Sequence, residues 1–297
     1  MFDFLIHVFI MASLFGLLSL SLNFQAGFAG LMNFGQIALF GCGTYGAALA
    51  FSWGYGFVPG LLLGLAMSAV VAVIFAQLGR NLTSDYWGIA TLAVAEVLRL
   101  IALNESWLTG GAQGIAGMPP LFPWLAGRER QYAILAFCVI LLALVYLVCN
   151  RITSGRYGLA LKLMREEPLL AASLGYDTNR LKRQAMVIGG LIAAGTGVIF
   201  AHYITFVGPE QLIGSETFII WAMIIIGGLG NHKGAIAGAF VLQFLFAFVP
   251  FAKDLLGLPV EYVAAVRLLI VGGGLLGFLL LREKGLIAEK TGGYRLG

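Results

Sequence analysis

From Phe4 to Gly79 the chain runs without one Asp, Glu, Lys or Arg, and apolar runs of similar length recur as far as residue 281. A membrane-crossing helix needs about 20 apolar residues. By that measure the candidate spans are 4–22, 36–51, 58–79, 86–103, 131–150, 185–206, 217–231, 234–251 and 262–281. The expectation is an all-α, polytopic integral membrane protein of about 8–9 transmembrane helices, forming one transmembrane domain over residues 1–297. The runs at 36–51 and 217–231 are short, and each abuts a glycine-rich turn. The first run reads as a retained span, since Met1 to Asp3 supplies no basic region and no small-residue cleavage site closes it.

The polar residues that interrupt this pattern carry the information. Residues 23–36 read NFQAGFAGLMNFGQ, with amides and glycines where a span would carry leucine. A straight helix through residues 4–51 would be about 72 Å long, against a hydrocarbon core of about 30 Å, so the chain must break there. Gly27, Gly30 and Gly35 supply the expected breaks. Backbone N–H and C=O groups freed at a break cannot face lipid, so the segment is buried in protein or lines a wet cavity. Asn23, Gln25, Asn33 and Gln36 offer both donors and acceptors. They can satisfy the broken backbone, line the path of a small polar solute, or do both.

Charge is sparse: 11% of residues are charged and 60% are hydrophobic. The net charge of +4 falls in short loops beside apolar spans, where it reports orientation and not nucleic-acid binding. Residues 151–183 hold seven of the 18 basic residues and the tail from Arg282 holds four more, which places both on the cytoplasmic side. Four expected crossings separate them, so the two placements agree. Segment 104–130 then lies outside. Glu96 and Arg99 stand three apart on one helical face and are expected to pair, and Arg267 lies just inside the last span. Apart from Glu96 the spans carry almost no carboxylate of the kind that an ion-coupled carrier uses.

The longest cytoplasmic segment reads as a compact helix–turn–helix. In GLALKLMREEPLLAASLG, apolar Leu159, Leu163, Leu170 and Leu174 alternate with Lys162, Arg165, Glu166 and Glu167. Pro168 starts a second short helix and Gly175 stops it. This is an interfacial amphipathic loop or a docking helix for a soluble partner. Residues 227–235, GGLGNHKGA, lack the GxxxxGK[ST] spacing that cradles phosphates, so if the chain serves ATP-driven transport the ATP is bound by another subunit. Cys42, Cys138, Cys149 and the three histidines show no metal-type spacing, and no metal or cofactor is expected in this chain. Residues 30–38, GLMNFGQIA, and 228–237, GLGNHKGAIA, echo each other with one insertion, either as the kind of repeat found in transporters or as chance similarity in a glycine-rich sequence. Gly228 and Gly230 in the second copy join the candidate pivots.

The sequence resembles the LivH/LivM-type permeases of ATP-binding-cassette importers for branched-chain amino acids, over nearly its whole length. The resemblance rests on residues 22–48, 86–100, 108–119 (LTGGAQGIAGMP), 155–190, 201–212 (AHYITFVGPEQL) and 224–239 (IIIGGLGNHKGAIAGA), in an order that suits the LivM-type branch. It implies a bacterial inner-membrane importer of two permease subunits, identical or different, with two cytoplasmic ATPases and an external solute-binding protein. Arg165, Glu166, Glu167, Ala171, Ala172 and Gly175 match the place where such permeases meet the ATPase. Thr109 and Gln113, within the glycine-rich turn at 108–119, would face the delivered solute or its binding protein. Related permeases also serve urea, amides and aromatic acids. A stand-alone channel would explain the amides and glycines but not the charged helix–turn–helix, and a membrane enzyme would need a nucleophile, base or metal cluster that the sequence lacks.

Overall fold

The computed structural model describes residues 2–80, 82–256 and 285–289, with scattered positions from 265 to 277. The ninth candidate span, Arg267 and most of the tail from Arg282 lie outside the described residues. Helix α1 (Phe2–Leu22) passes into a π-helical turn, Asn23–Phe28. After an irregular stretch at 29–35 come α2 (Gln36–Ser52), α3 (Phe57–Leu78), α4 (Ser84–Asn104) and the short α5 (Ser106–Thr109). A two-residue strand β1 (Ile115–Ala116) precedes α6 (Gly127–Thr153), α7 (Arg156–Glu166), α8 (Pro168–Ser173) and α9 (Thr178–Ile204). Strand β2 (Phe206–Val207) pairs antiparallel with β1, and α10 (Gly214–Gly227) and α11 (His232–Leu256) follow.

Six helices among the described residues are long and apolar enough to cross a membrane. Burial sorts them. The most apolar windows of α1 with its π turn and of α9 are 72% and 67% buried, whereas those of α3, α4 and α6 are 28%, 28% and 22% buried. The first two are therefore central, as expected of helices that are apolar all round. The outer three present rows such as Val58, Leu62 and Val70, or Ile140 and Leu147, to the surroundings. Such rows would be a liability in water and suit contact with acyl chains or another subunit.

Helix α2 is short, about 25 Å at 1.5 Å per residue, yet Gln36 through Ala50 are all buried. It packs between α3 and α9 by backbone contact. A Cβ on Gly43 would collide with Ala194 O, one on Gly46 with the Gly64 backbone, and one on Gly197 with Phe40 O. Small residues at such crossings let helices approach closely where lipid supplies no hydrophobic drive.

The break falls where helix length requires it, but its form differs from the expectation. Gly27 does not break the helix: it continues through a π turn to Phe28, and the irregular stretch begins at Ala29. Gly27 is needed instead for close approach, since a Cβ there would meet Asn23 Oδ1 and, at 2.6 Å, Gly230 N. Helix α9 starts seven residues earlier than its apolar run, because Asp177 caps it by accepting from Arg180 N at 2.9 Å. The helix–turn–helix therefore occupies residues 154–177, flanked by the ends of α6 and α9. Its stop is as read, with Gly175 at φ +86°.

Two ends of the bundle can be distinguished by contact. At one end, Arg165 of α7 reaches Gly27 O, Lys182 Nζ donates to Gly79 O at 3.3 Å, and residues 286–287 hydrogen-bond the end of α10. At the other, Asp3 pairs with Arg128 at 3.2 Å, His7 bonds Tyr203 at 2.6 Å, and β1 pairs with β2. Loops 154–177 and 105–126 thus lie at opposite ends, as the charge pattern requires.

Candidate functional site

The irregular stretch is held by nearly complete pairing of its backbone, as buried polar groups demand. Gly30 N donates to Ala26 O at 3.1 Å, Leu31 N to Gln25 O at 3.0 Å and Asn33 N to Leu31 O at 2.8 Å. Phe34 N reaches Thr91 Oγ1 at 3.1 Å, Gly35 N reaches Asn33 Oδ1 at 2.9 Å, and Ile37 N reaches Thr217 Oγ1 at 3.1 Å. Trp221 Nε1 donates to Asn33 O at 3.0 Å. Gly35 fits against Thr91 O and the Phe75 ring, with no room for a side chain.

The four amides of this segment are all at 0% exposure, and three of them come together. Asn33 Nδ2 donates to both Gln25 Oε1 and Gln36 Oε1 at 2.9 Å, Gln36 Nε2 to Ser21 Oγ at 2.7 Å, and Ser21 Oγ to Gly189 O at 2.7 Å. Gln25 Nε2 donates to Met186 O at 3.2 Å. Asn23 stands apart: its Oδ1 accepts from Gly230 N at 2.9 Å and its Nδ2 lies 3.3 Å from His232 Nδ1. All four side chains therefore spend their polar groups on one another, on Ser21 and His232, and on backbone.

The two echoing segments share a local device. Asn33 Oδ1 accepts from Gly35 N just before α2, and Asn231 Oδ1 accepts from Lys233 N at 3.0 Å at the start of α11. Each asparagine thus satisfies a backbone N–H at the entry to the helix that follows it. Gly30, Gly228 and Gly230 have φ of +70°, +119° and +78°, which lets both turns reverse tightly.

A charged cluster ties the helix–turn–helix to this break. Arg165 Nη1 donates to Gly27 O, while its Nη2 meets Glu289 Oε2 at 2.9 Å and Glu166 Oε1 at 2.6 Å. Lys162 Nζ lies 2.6 Å from Glu289 Oε1 and sits over the Phe28 ring at 5.3 Å. Burial lowers the pKa of the Arg165 guanidinium, but its bonds to Glu289 and Glu166 outweigh that and hold it above the usual arginine value. Phe28 stacks on His232 with centroids 4.4 Å apart, and His232 Nε2 lies 3.1 Å from Thr153 Oγ1 at the end of α6. One contiguous set of contacts therefore joins α7, the π turn, the α10–α11 turn, α6 and residues 285–289.

Leu159 is 60% exposed, Leu170 48% and Leu174 63%, whereas Ala160, Leu161, Met164 and Ala171 are buried. A second apolar row exists at Leu161 and Met164, and Gly158, pressed onto Thr153 O, turns that row inward. Arg165 points into the body and Ala171 is buried, while Glu166, Glu167, Ala172 and Gly175 remain at the surface with Leu169.

At the opposite end, Thr109 turns inward. Its Oγ1 donates to Ala102 O at 2.7 Å and Glu105 O at 2.8 Å and so closes the α4–α5 corner. Gln113 is exposed. The adjoining strand pair carries the chain to a 3₁₀ turn, Pro209–Leu212, beside a partly open cavity of about 370 Å³ lined by residues of α1, α2, α9, α10 and α11. Leu14, Leu18, Ile37 and Phe200 supply apolar wall, and Glu210, Gln211 and Glu216 supply polar wall. Neither the four amides nor Thr109 or Gln113 lines it. Glu96 and Arg99 pair at 2.5 Å on α4, away from it. Among the described residues no three His, Cys, Asp or Glu side chains gather as a metal-holding group.

A family model described as "Branched-chain amino acid transport system / permease component" matches residues 4–279. The chain belongs to this permease family. It is 28% identical to the "Probable branched-chain amino acid transport permease protein LivM" of Methanocaldococcus jannaschii, over 97% of this chain and 94% of that one. It is 27% identical to the Escherichia coli "High-affinity branched-chain amino acid transport system permease protein LivM", over 91% of this chain and 67% of that one. The corresponding LivH protein of Escherichia coli is 26% identical, over 78% of this chain and 80% of that one. The longer match to LivM proteins agrees with the order of the sequence blocks, and this permease is LivM-like.

Several residues of this permease that matter in the fold gave little sign in sequence. Glu289 sits in a tail legible only as basic, His232 read as a scattered histidine, and Lys162 was legible only as one charge of the helix–turn–helix. Glu210, Gln211 and Glu216 had a signal that went unused: two carboxylates packed into GPEQLIGSE between apolar helices.

Proposed function

We propose that this permease is the membrane subunit of an ATP-binding-cassette importer that carries branched-chain amino acids into the cytoplasm of a bacterium across its inner membrane. Loop 154–177 and the segment 285–289 face the cytoplasm, in accord with their basic surroundings. The bundle makes eight or nine crossings, with α2 and α10 the short ones. A second permease subunit, alike or different, completes the path, two ATP-binding subunits drive it, and an external binding protein delivers the solute. The chain itself does no bond chemistry.

The observation that carries this reading is the two-sided placement of the α7–α8 unit. Its outer side exposes Leu169, Leu170 and Leu174 beside Glu166 and Glu167, a small apolar knob with a charged edge suited to a groove on a soluble subunit. Its inner side grips the break of the first span through Arg165. A push on the knob is thus delivered to the segment where a helix is already interrupted, the place where bistable movement costs least. The amides at 23–36 then hold the break in each state and reach solute only when the bundle opens.

The test is uptake of labelled leucine into liposomes holding the permease pair, its ATPases and the binding protein. ATP-dependent uptake that isoleucine suppresses and urea does not is the expected result. Uptake without the ATPases, or suppression by urea and not by isoleucine, would instead point to a channel or to a urea permease.

A further inference from the structure

We infer that the end of the bundle carrying loop 154–177 holds one anionic phospholipid, its phosphate among Arg80, Arg180 and Arg183 and an acyl chain in the apolar groove beside them. The inference concerns the lipid around the protein and stands apart from what is transported. A small cavity of about 180 Å³ opens between the end of α3 and the first turns of α9. Its charged walls are Arg80, Arg180, Arg183 and Asp177, with Gln77 and Asn179 as neutral polar lining.

Three cations against one carboxylate leave this cavity positive. Asp177 is already engaged, since its Oδ1 accepts from Arg180 N and caps α9. Arg80 Nη1 donates to the neutral Gln77 Oε1 at 3.3 Å, and among the described residues none of the three guanidinium groups enters an ion pair. Lys182 is spent at the same helix end, on Gly79 O at 3.3 Å. The planar guanidinium fork matches a phosphate with two parallel hydrogen bonds, so this set of side chains selects a phosphate-bearing anion.

The surroundings decide for a lipid over a soluble phosphate. A second, open space of about 530 Å³ is lined by Val73, Ile152, Tyr157, Val187 and Ile188, and Arg183 belongs to the walls of both spaces. A soluble anion leaves that groove bare, whereas an acyl chain gains by covering it. Val70, one turn from Val73 on α3, is 61% exposed, as suits a helix face turned to acyl chains. The Tyr157 hydroxyl is buried beside the groove and has no hydrogen-bond partner among the described residues. A donor left over in that place fits an ester carbonyl of the lipid's glycerol. Cationic pocket, apolar groove and spare hydroxyl are the features that one phospholipid satisfies together, and basic pockets between membrane helices hold lipid headgroups in this way.

Thermal unfolding of the full-length permease, delipidated in detergent, tests this with four additives. Dioleoylphosphatidylglycerol should raise the midpoint by about 2–4 °C or more. Dioleoylphosphatidylcholine has the same chains and no net charge, glycerol 3-phosphate and inorganic phosphate have the charge and no chains, and none of the three should raise it. Arg180→Gln with Arg183→Gln should leave the midpoint without lipid unchanged, since both residues are exposed. The same pair should raise the phosphatidylglycerol concentration that gives half the shift about tenfold or more. Arg151→Gln with Lys233→Gln removes as much exposed charge at the same end but outside the pocket, and should leave that concentration unchanged. No shift with phosphatidylglycerol, an equal shift with phosphatidylcholine, or equal effects of the two pairs of substitutions would overturn the site. An equal shift with either soluble phosphate would overturn it too and leave the cavity to a soluble anion.

Discussion

Arg165 and Glu289, 124 residues apart in sequence, meet at 2.9 Å, and the same carboxylate holds Lys162 at 2.6 Å. Glu289 and Arg165 are each 19% exposed and Lys162 is 28% exposed, so solvent screens the cluster only in part. Glu289→Gln leaves two cations side by side. A loss of about 1–3 kcal/mol in thermal unfolding of the detergent-solubilised permease is expected. Glu166, whose side chain is 66% exposed, makes the control: Glu166→Gln should cost under about 0.5 kcal/mol. Equal losses for the two would show that the cluster does not anchor residues 285–289.

Gly27 offers a packing test. A methyl group there has no free space, because Asn23 and the Gly230 backbone close the position, whereas nothing lies within 4 Å of a Cβ on Gly195. Gly27→Ala should destabilise the fold by about 1–3 kcal/mol. Gly195→Ala, in the interior of α9, should be neutral or stabilising by up to about 1 kcal/mol. Thermal shifts of the two single variants, measured side by side, decide it.

Asn33 is the centre of the amide network. Asn33→Leu would strip partners from Gln25, Gln36 and Gly35 N at once, each in a fully buried place. The expected cost is about 2–4 kcal/mol, with transport lost because the fold is lost. If the variant folds with native stability yet fails in uptake, the network serves the solute and not the break.

The apolar knob on α8 predicts the opposite pattern. Leu169→Asp with Leu174→Asp should leave thermal stability within about 0.5 kcal/mol, since both side chains are exposed. Co-purification of the ATPase subunits should fall sharply. Undiminished co-purification would move the docking surface elsewhere.

Much of this architecture was legible in sequence because a membrane punishes errors of hydropathy. The six described helices long and apolar enough to cross a membrane overlap their apolar runs, though α9 starts well before its own, and the need for a break at 23–36 followed from helix length alone. Local chemistry was legible too, as with Pro168 and Gly175 bracketing α8. The rest depended on contacts between distant segments. No periodicity could reveal that Leu161 and not Leu159 faces inward, because that choice is made by Gly158 against Thr153. Nor could it show that Arg165 turns toward Gly27, since its partner carboxylate lies in the C-terminal segment. The polar wall of the cavity was hidden for a related reason: Glu210 and Glu216 precede α10 or sit in its first turn and read as ordinary loop charge until α1 and α11 close around them.

The claim at the centre of this account is that Arg165 passes movement of the α7–α8 unit to the broken first span. Arg165→Gln in the reconstituted importer, with ATP hydrolysis and leucine uptake measured on the same vesicles, addresses it directly. Hydrolysis should stay within about twofold of wild type while uptake falls about tenfold or more, so that more ATP is spent per leucine carried. A variant in which hydrolysis and uptake fall in the same proportion, or in which neither changes, would contradict the claim.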